Sequence, residues 1–154
     1  MIEKEIKAIR DFKSGHNCSQ VVLLAYANEL GIAHRMALNI ASGFGAGMGR
    51  LQETCGAVTG AFMVIGLHNG LKYCSNQDAK EVSYEIIQLF NKKFVEIHGS
   101  TLCGELLNCN LRTSEGKKYF LDHNLLEHTC IPCISTAINL LDELLHVETG
   151  DKRE

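Results

Sequence analysis

Seven cysteines are the residues in this chain that can do chemistry: Cys18, Cys55, Cys74, Cys103, Cys109, Cys130 and Cys133. In a reducing compartment structural disulfides are rare, so clustered thiols point to metal ligation or redox exchange. The odd number also argues against a fully paired disulfide framework. Four of the seven fall where a helix is expected to begin. Cys18 follows Asn17, Cys55 follows Thr54, Cys103 comes just after Ser100 and Thr101, and Cys130 follows Thr129. Asn, Ser and Thr are the residues that cap helix N-termini. A thiol in a first turn feels the positive end of the helix dipole and unpaired N–H groups, and both favour thiolate. The expectation is that these helix starts converge on one site, where Cys18, Cys55, Cys103 and Cys130 act as redox thiols or hold a metal. The plain alternative is four inert core residues, because free Cys is among the most buried residue types.

The pair Cys130-x-x-Cys133 has the spacing of both redox pairs and metal knuckles. No βαβ pattern accompanies it, which weakens a thioredoxin-like reading, and the lack of a second such pair weakens a zinc ribbon. Ile134 stands where covalent haem attachment needs His. Cys133 is thus a possible further ligand beside Cys130. His16 and His128 each lie two residues before a cysteine and are read as solvated turn histidines, while His34, His68, His98, His123 and His146 give no signal.

The elements that must position these thiols are organised around residues 42–66, SGFGAGMGRLQETCGAVTGAFMVIG. Gly43, Gly45, Gly47 and Gly49 alternate, which suits a tight loop near the site, bordering whatever Cys55 binds. FGAGMG is neither a dinucleotide fingerprint nor a P-loop, so a phosphate cradle is not favoured. Thr54 is expected to cap a buried helix opening at Cys55. Gly56 and Gly60, with Ala57 and Ala61, form small-residue stripes that let another backbone approach, either within the fold or across a homodimer.

Before this run, apolar residues at Ile2, Ile6, Ile9 and Phe12 predict an amphipathic helix, Asn17 to Gln20 reads as a capping box, and residues 34–42 read as a short third helix. After it, Ser75 opens a long amphipathic helix with Val82, Ile86, Leu89, Phe90, Phe94 and Ile97 on one face, closed by Gly99. A short helix at Cys103 and a last one from Cys130 complete the set. Cys74 reads as an incidental turn thiol, residues 111–122 read as a surface loop, and the tail from Glu148 reads as polar and frayed. The whole is an all-α, single-domain bundle of about five to seven helices over residues 1–154, with its core at about 15–145.

At 154 residues with a formal net charge of −3, the chain can bury a core without disulfides or metal, and it lacks the basic surface that nucleic acid would need. The charged first helix is not a signal peptide and no apolar stretch is long enough to span a bilayer, so a cytoplasmic protein is expected.

The stretches GHNCSQVVLLAY and SGFGAGMGRLQETCGAVTGAFMVIGL, together with Cys103 and TCIPCISTA, resemble the C_GCAxxG_C_C family, a group named for redox activity and four characteristic cysteines. The resemblance runs from about Gly15 to about Leu145 and implies that Cys18, Cys55, Cys103 and Cys130 are those four. Where the family label writes Gly-Cys-Ala, this chain has Cys55-Gly56-Ala57. The resemblance implies a cysteine-based redox or metal-binding protein, with an iron–sulfur cluster or zinc as the possible cofactor. Its partners would be a redox protein or a transporter component, since relatives are often encoded near transporters. A helical accessory protein of a transporter with no redox chemistry is the alternative.

Overall fold

The computed structural model describes residues 2–147, so the tail expected to fray lies outside the described residues. Among them there is no strand, and eight helices make the fold all-α. They are α1 (Ile2–Lys13), α2 (Cys18–Tyr26), α3 (His34–Ala41), α4 (Gly56–Lys72), α5 (Asn76–His98), α6 (Cys103–Leu107), α7 (Ser114–Asp122) and α8 (Ile131–Val147).

The centre is α4, which packs against α2, α5 and α8, while α1 lies across α2 and α8. Its sequence explains that position. Gly56, Ala57, Gly60 and Ala61 bring backbones close, and Val58, Val64 and Ile65 are fully buried. A Cβ on Gly60 would stand 2.9 Å from Ser19 O and 3.0 Å from Val22 Cβ, and one on Gly56 would stand 2.3 Å from Cys18 Sγ. The small-residue stripe is therefore covered by α2, and the surface from which a homodimer was expected is used inside the fold. Helix α5 contributes Ile86, Phe90 and Phe94 to the core, whereas Leu89 and Ile97 of the expected apolar face are exposed. Burying each of the two phenylalanines stabilises the fold by about 1.5–3 kcal/mol.

Several expected starts and stops hold. Asn17 caps α2, accepting from Gln20 N while the Gln20 side chain accepts from Asn17 N. Ser75 caps α5, and Gly99 ends it with φ +82. Thr54, by contrast, caps nothing. It makes an antiparallel bridge to Leu102, and Cys55 itself occupies the N-cap position of α4, one residue before the helix.

One more helix is present than the expected five to seven. It is α7, in the stretch read as a surface loop. Its signal is local: Thr113 Oγ1 accepts from Gly116 N, and Gly116 lies against Asn110 so tightly that a Cβ would stand 1.8 Å from its carbonyl oxygen. Between α7 and α8 the chain makes a π turn over Leu126–Cys130 that continues directly into α8. Cys130 is thus not at a free helix start, and Thr129 does not cap one.

Candidate functional site

The glycine run builds one wall of the site. From residue 46 to 50 the backbone is left-handed throughout: Ala46, Gly47, Met48, Gly49 and Arg50 have φ of 53, 65, 65, 67 and 66. Gly49 N donates to Gly45 O at 2.8 Å, closing one left-handed turn. Non-glycine residues in this region cost roughly 1–2 kcal/mol each, so surrounding contacts must hold Ala46, Met48 and Arg50 there. Those contacts involve the cysteine-bearing segments. A Cβ on Gly45 would collide with the Asn17 side chain at 2.3 Å, and one on Gly47 would stand 2.6 Å from Gln52 Cα and 2.7 Å from Cys103 Cβ. Gly43 meets nothing within 4 Å and Gly49 only the Gly43 carbonyl at 3.9 Å. Of the four glycines expected near the site, Gly45 and Gly47 pack against the segments that carry Cys18 and Cys103, Gly49 belongs to the turn, and Gly43 lies before it with no close contact.

Beyond the turn, residues 52–55 run beside 101–104. Cys55 N donates to Thr101 O (2.8 Å), Cys103 N to Glu53 O (2.7 Å) and Gly104 N to Gln52 O (3.0 Å). This short zipper fixes Cys55 and Cys103 relative to one another. Gln52, itself left-handed (φ 58), spans the next gap. Its Nε2 donates to Cys109 O at 2.7 Å, and its Oε1 accepts from Leu111 N at 2.8 Å.

The structure brings Cys18, Cys55, Cys103, Cys130 and Cys133 to one apolar cavity of about 150 Å³, whose other walls include Phe12, Ala46, Leu106, Leu111 and Phe120. Cys55, Cys103 and Cys133 are buried, and Cys18 and Cys130 are half-buried. The Cys55 thiol couples electrostatically to those of both Cys18 and Cys133. Cys74 is exposed on the turn before α5.

Burial reverses the expected ionisation. A nearby Cys55 thiol and desolvation hold Cys18 well above the ordinary thiol range, although the N–H groups of Ala46 and Ser19 favour its anion. Cys55 is raised by its contact with Cys133 and by burial, against the opposing contact with Cys18. Desolvation first, and the other thiols second, push Cys103 and Cys130 up to about 12 each. The helix-end effect that favours thiolate is smaller than the cost of a charge in an apolar cavity. Cys18, Cys55, Cys103 and Cys130 are thus each biased toward the protonated thiol.

Cys133, named from the sequence as a further candidate, faces the same cavity, whereas its neighbour His98 escaped the sequence: Cys133 Sγ lies 4.0 Å from His98 Nδ1, and His98 Nε2 pairs with Thr136 Oγ1 at 2.8 Å. His98 is the last residue of α5, and its ring lies tilted by 37° against that of Phe94, 4.6 Å between centroids. Burial lowers its pKa and so favours the neutral imidazole. His16 hydrogen-bonds Asp11 O, and His128 lines a separate polar cleft with His98, Ser100 and Glu105; neither lines the cysteine cavity.

The donor chemistry is that of zinc or an iron–sulfur cluster. Among the described residues, however, no group of three or more His, Cys, Asp or Glu side chains is arranged to hold a metal ion. Thiols that cannot ionise singly can still lose their protons in pairs, because a disulfide is neutral. Among the described residues no helix is long and apolar enough to cross a membrane. Comparison with curated proteins and with solved structures gave no match. The profile of one family, described as "Putative redox-active protein (C_GCAxxG_C_C)", matches residues 16–144, and the chain belongs to that family.

Proposed function

We propose that this chain is a cytoplasmic thiol–disulfide redox protein whose working pair is Cys18 and Cys55, with Cys133 as the thiol that can take over from Cys18. The observation that supports this reading is that Cys18, Cys55 and Cys133 line one apolar cavity, with the Cys55 thiol coupled to both of the others. Such a pair exchanges two electrons and two protons without leaving a buried charge. Cys18 is the half-buried member and meets the partner. Cys103 and Cys130 complete the wall and are held as thiols. The partner is a disulfide or dithiol compound, and the family resemblance suggests a transport system as the wider setting.

Equilibration of the anaerobically purified protein with graded dithiothreitol buffers, followed by alkylation and peptide mass mapping, tests this. The expected product is a Cys18–Cys55 or Cys55–Cys133 disulfide that Cys55→Ser abolishes. Stoichiometric iron with acid-labile sulfide, or stoichiometric zinc, in the same preparation would replace this reading with a metal centre. Thiols that stay unreacted across the whole range would leave a helical accessory protein.

A further inference from the structure

We infer that the compound exchanging with this site is a small anionic disulfide or thiol, seated in a groove beside the cysteine cavity. The inference rests on the thiol–disulfide reading above. The groove holds about 390 Å³ and is lined by Ala46, Arg50, Leu111, Lys117, Phe120 and Leu121. Ala46, Leu111 and Phe120 also line the cavity, so the two spaces adjoin across these three side chains.

The polar part of the groove is cationic. Arg50 and Lys117 are both exposed, and neither forms an ion pair with a described residue. Lys118, next along α7, is instead held by Asp122. Each groove cation is carried by an element that also walls the cavity. Arg50 ends the left-handed turn that supplies Ala46, and Lys117 lies one helical turn before Phe120. Two unneutralised cations beside an apolar passage to thiols complement an anion with an apolar, sulfur-bearing end. The cavity of about 150 Å³ takes that end, and the open groove takes the charged remainder. Together they match the scale of small-molecule sites.

The exchange balances with an organic disulfide as oxidant. Cys18 gives up its proton and attacks one substrate sulfur, forming a mixed disulfide, and the substrate's first half leaves as a thiol carrying that proton. Cys55 then attacks Cys18 Sγ, and the second half leaves as a thiol with the Cys55 proton. Two electrons pass from the protein thiols to the substrate disulfide, and an anionic dithiol or two thiols reverse the sequence.

The test compares two small disulfides, anionic dithiobis(nitrobenzoate) and neutral dithiodipyridine, on Cys74→Ser protein, which removes the exposed thiol. The ratio of their rates at Cys18 and Cys55 should fall about tenfold at low salt in Arg50→Gln/Lys117→Gln, and should not change in Lys118→Gln. An unchanged ratio in the double variant overturns the anionic-substrate inference alone. A disulfide joining two glutamate-rich peptides that reacts as fast as dithiobis(nitrobenzoate) would also overturn it, since the partner would then be a protein surface. Failure of Cys18 and Cys55 to react with either small disulfide would instead overturn the thiol–disulfide reading beneath it.

Discussion

A buried thiol is a poor nucleophile until something removes its proton, and that governs what the individual cysteines can do. With the Cys18 and Cys55 pKa values raised by their neighbours and by burial, iodoacetamide labelling of these two should rise steadily with pH well past about 8.5, where an unperturbed thiol levels off. Labelling that levels off near that pH would refute the burial argument. Stability follows the same groups. A thiol whose folded pKa lies above its unfolded value contributes stability that is complete below the unfolded pKa and is lost as pH rises through the folded one. The reduced protein should therefore lose about 1.4 kcal/mol per pH unit above roughly pH 8.5 for each thiol that stays protonated only when folded. Urea melts from pH 7 to 10 would measure the slope, which should be shallower once two thiols are joined.

At the scale of elements, the left-handed turn and the zipper at Cys55 and Cys103 are where local geometry is most demanding. Gly47 has φ +65, and a Cβ there would stand 2.7 Å from Cys103 Cβ, so Gly47→Ala should destabilise by about 2–4 kcal/mol, combining left-handed strain with overpacking. Gly43→Ala, with nothing within 4 Å and no positive φ, should be nearly neutral. Ala46→Gly should stabilise by about 1 kcal/mol, because only the Cβ resists φ 53. Thermal melts of the three variants would settle the order. The turn also marks the limit of what the sequence discloses. Alternating glycines announced a tight loop, but Ala46, Met48, Arg50 and Gln52 have no residue-level mark of positive φ; their conformations come from tertiary contact. Thr54 looked like a cap because its type fits one, and its pairing with Leu102 is a long-range event. Helix α7 was hidden because its start depends on Thr113 and its seat on a backbone approach at Gly116, with no apolar periodicity to reveal it.

At the scale of the molecule, α1, α2 and α8 are tied by a polar knot set in the apolar bundle. Tyr26 Oη donates to Asp142 Oδ1 at 2.7 Å, and Lys4 Nζ reaches the same oxygen at 3.3 Å. Tyr26 and Lys4 hold the Asp142 carboxyl below its usual range despite desolvation that opposes them. The stability this carboxylate contributes is present above about pH 3.9 and is lost as pH falls below it. Tyr26→Phe should cost about 1–3 kcal/mol in urea melts, because it leaves a buried carboxylate short of a donor. None of the three residues carried a motif, whereas the helices they join were legible from their apolar spacing. The cysteine site divides in the same way. That Cys18, Cys55, Cys103 and Cys130 gather at one place was expected from placement at helix starts, a placement that holds for Cys18 and Cys103, whereas Cys55 stands at the N-cap and Cys130 in the π turn. That Cys133 and His98 join them depends on how α5 meets α8.

The π turn over Leu126–Cys130 works as an adjustable shim. It lets α8 keep Cys133 against the core while α7 sets Phe120 in the wall of the cysteine cavity. A chain one residue shorter between Asn124 and Thr129 would return to α-helical spacing and swing α7 by about 100° about the axis of α8. The Cys133 sulfur on α8 would stay in place under a changed aperture, so loop length, with no change in any cysteine, would set how large a molecule can reach it.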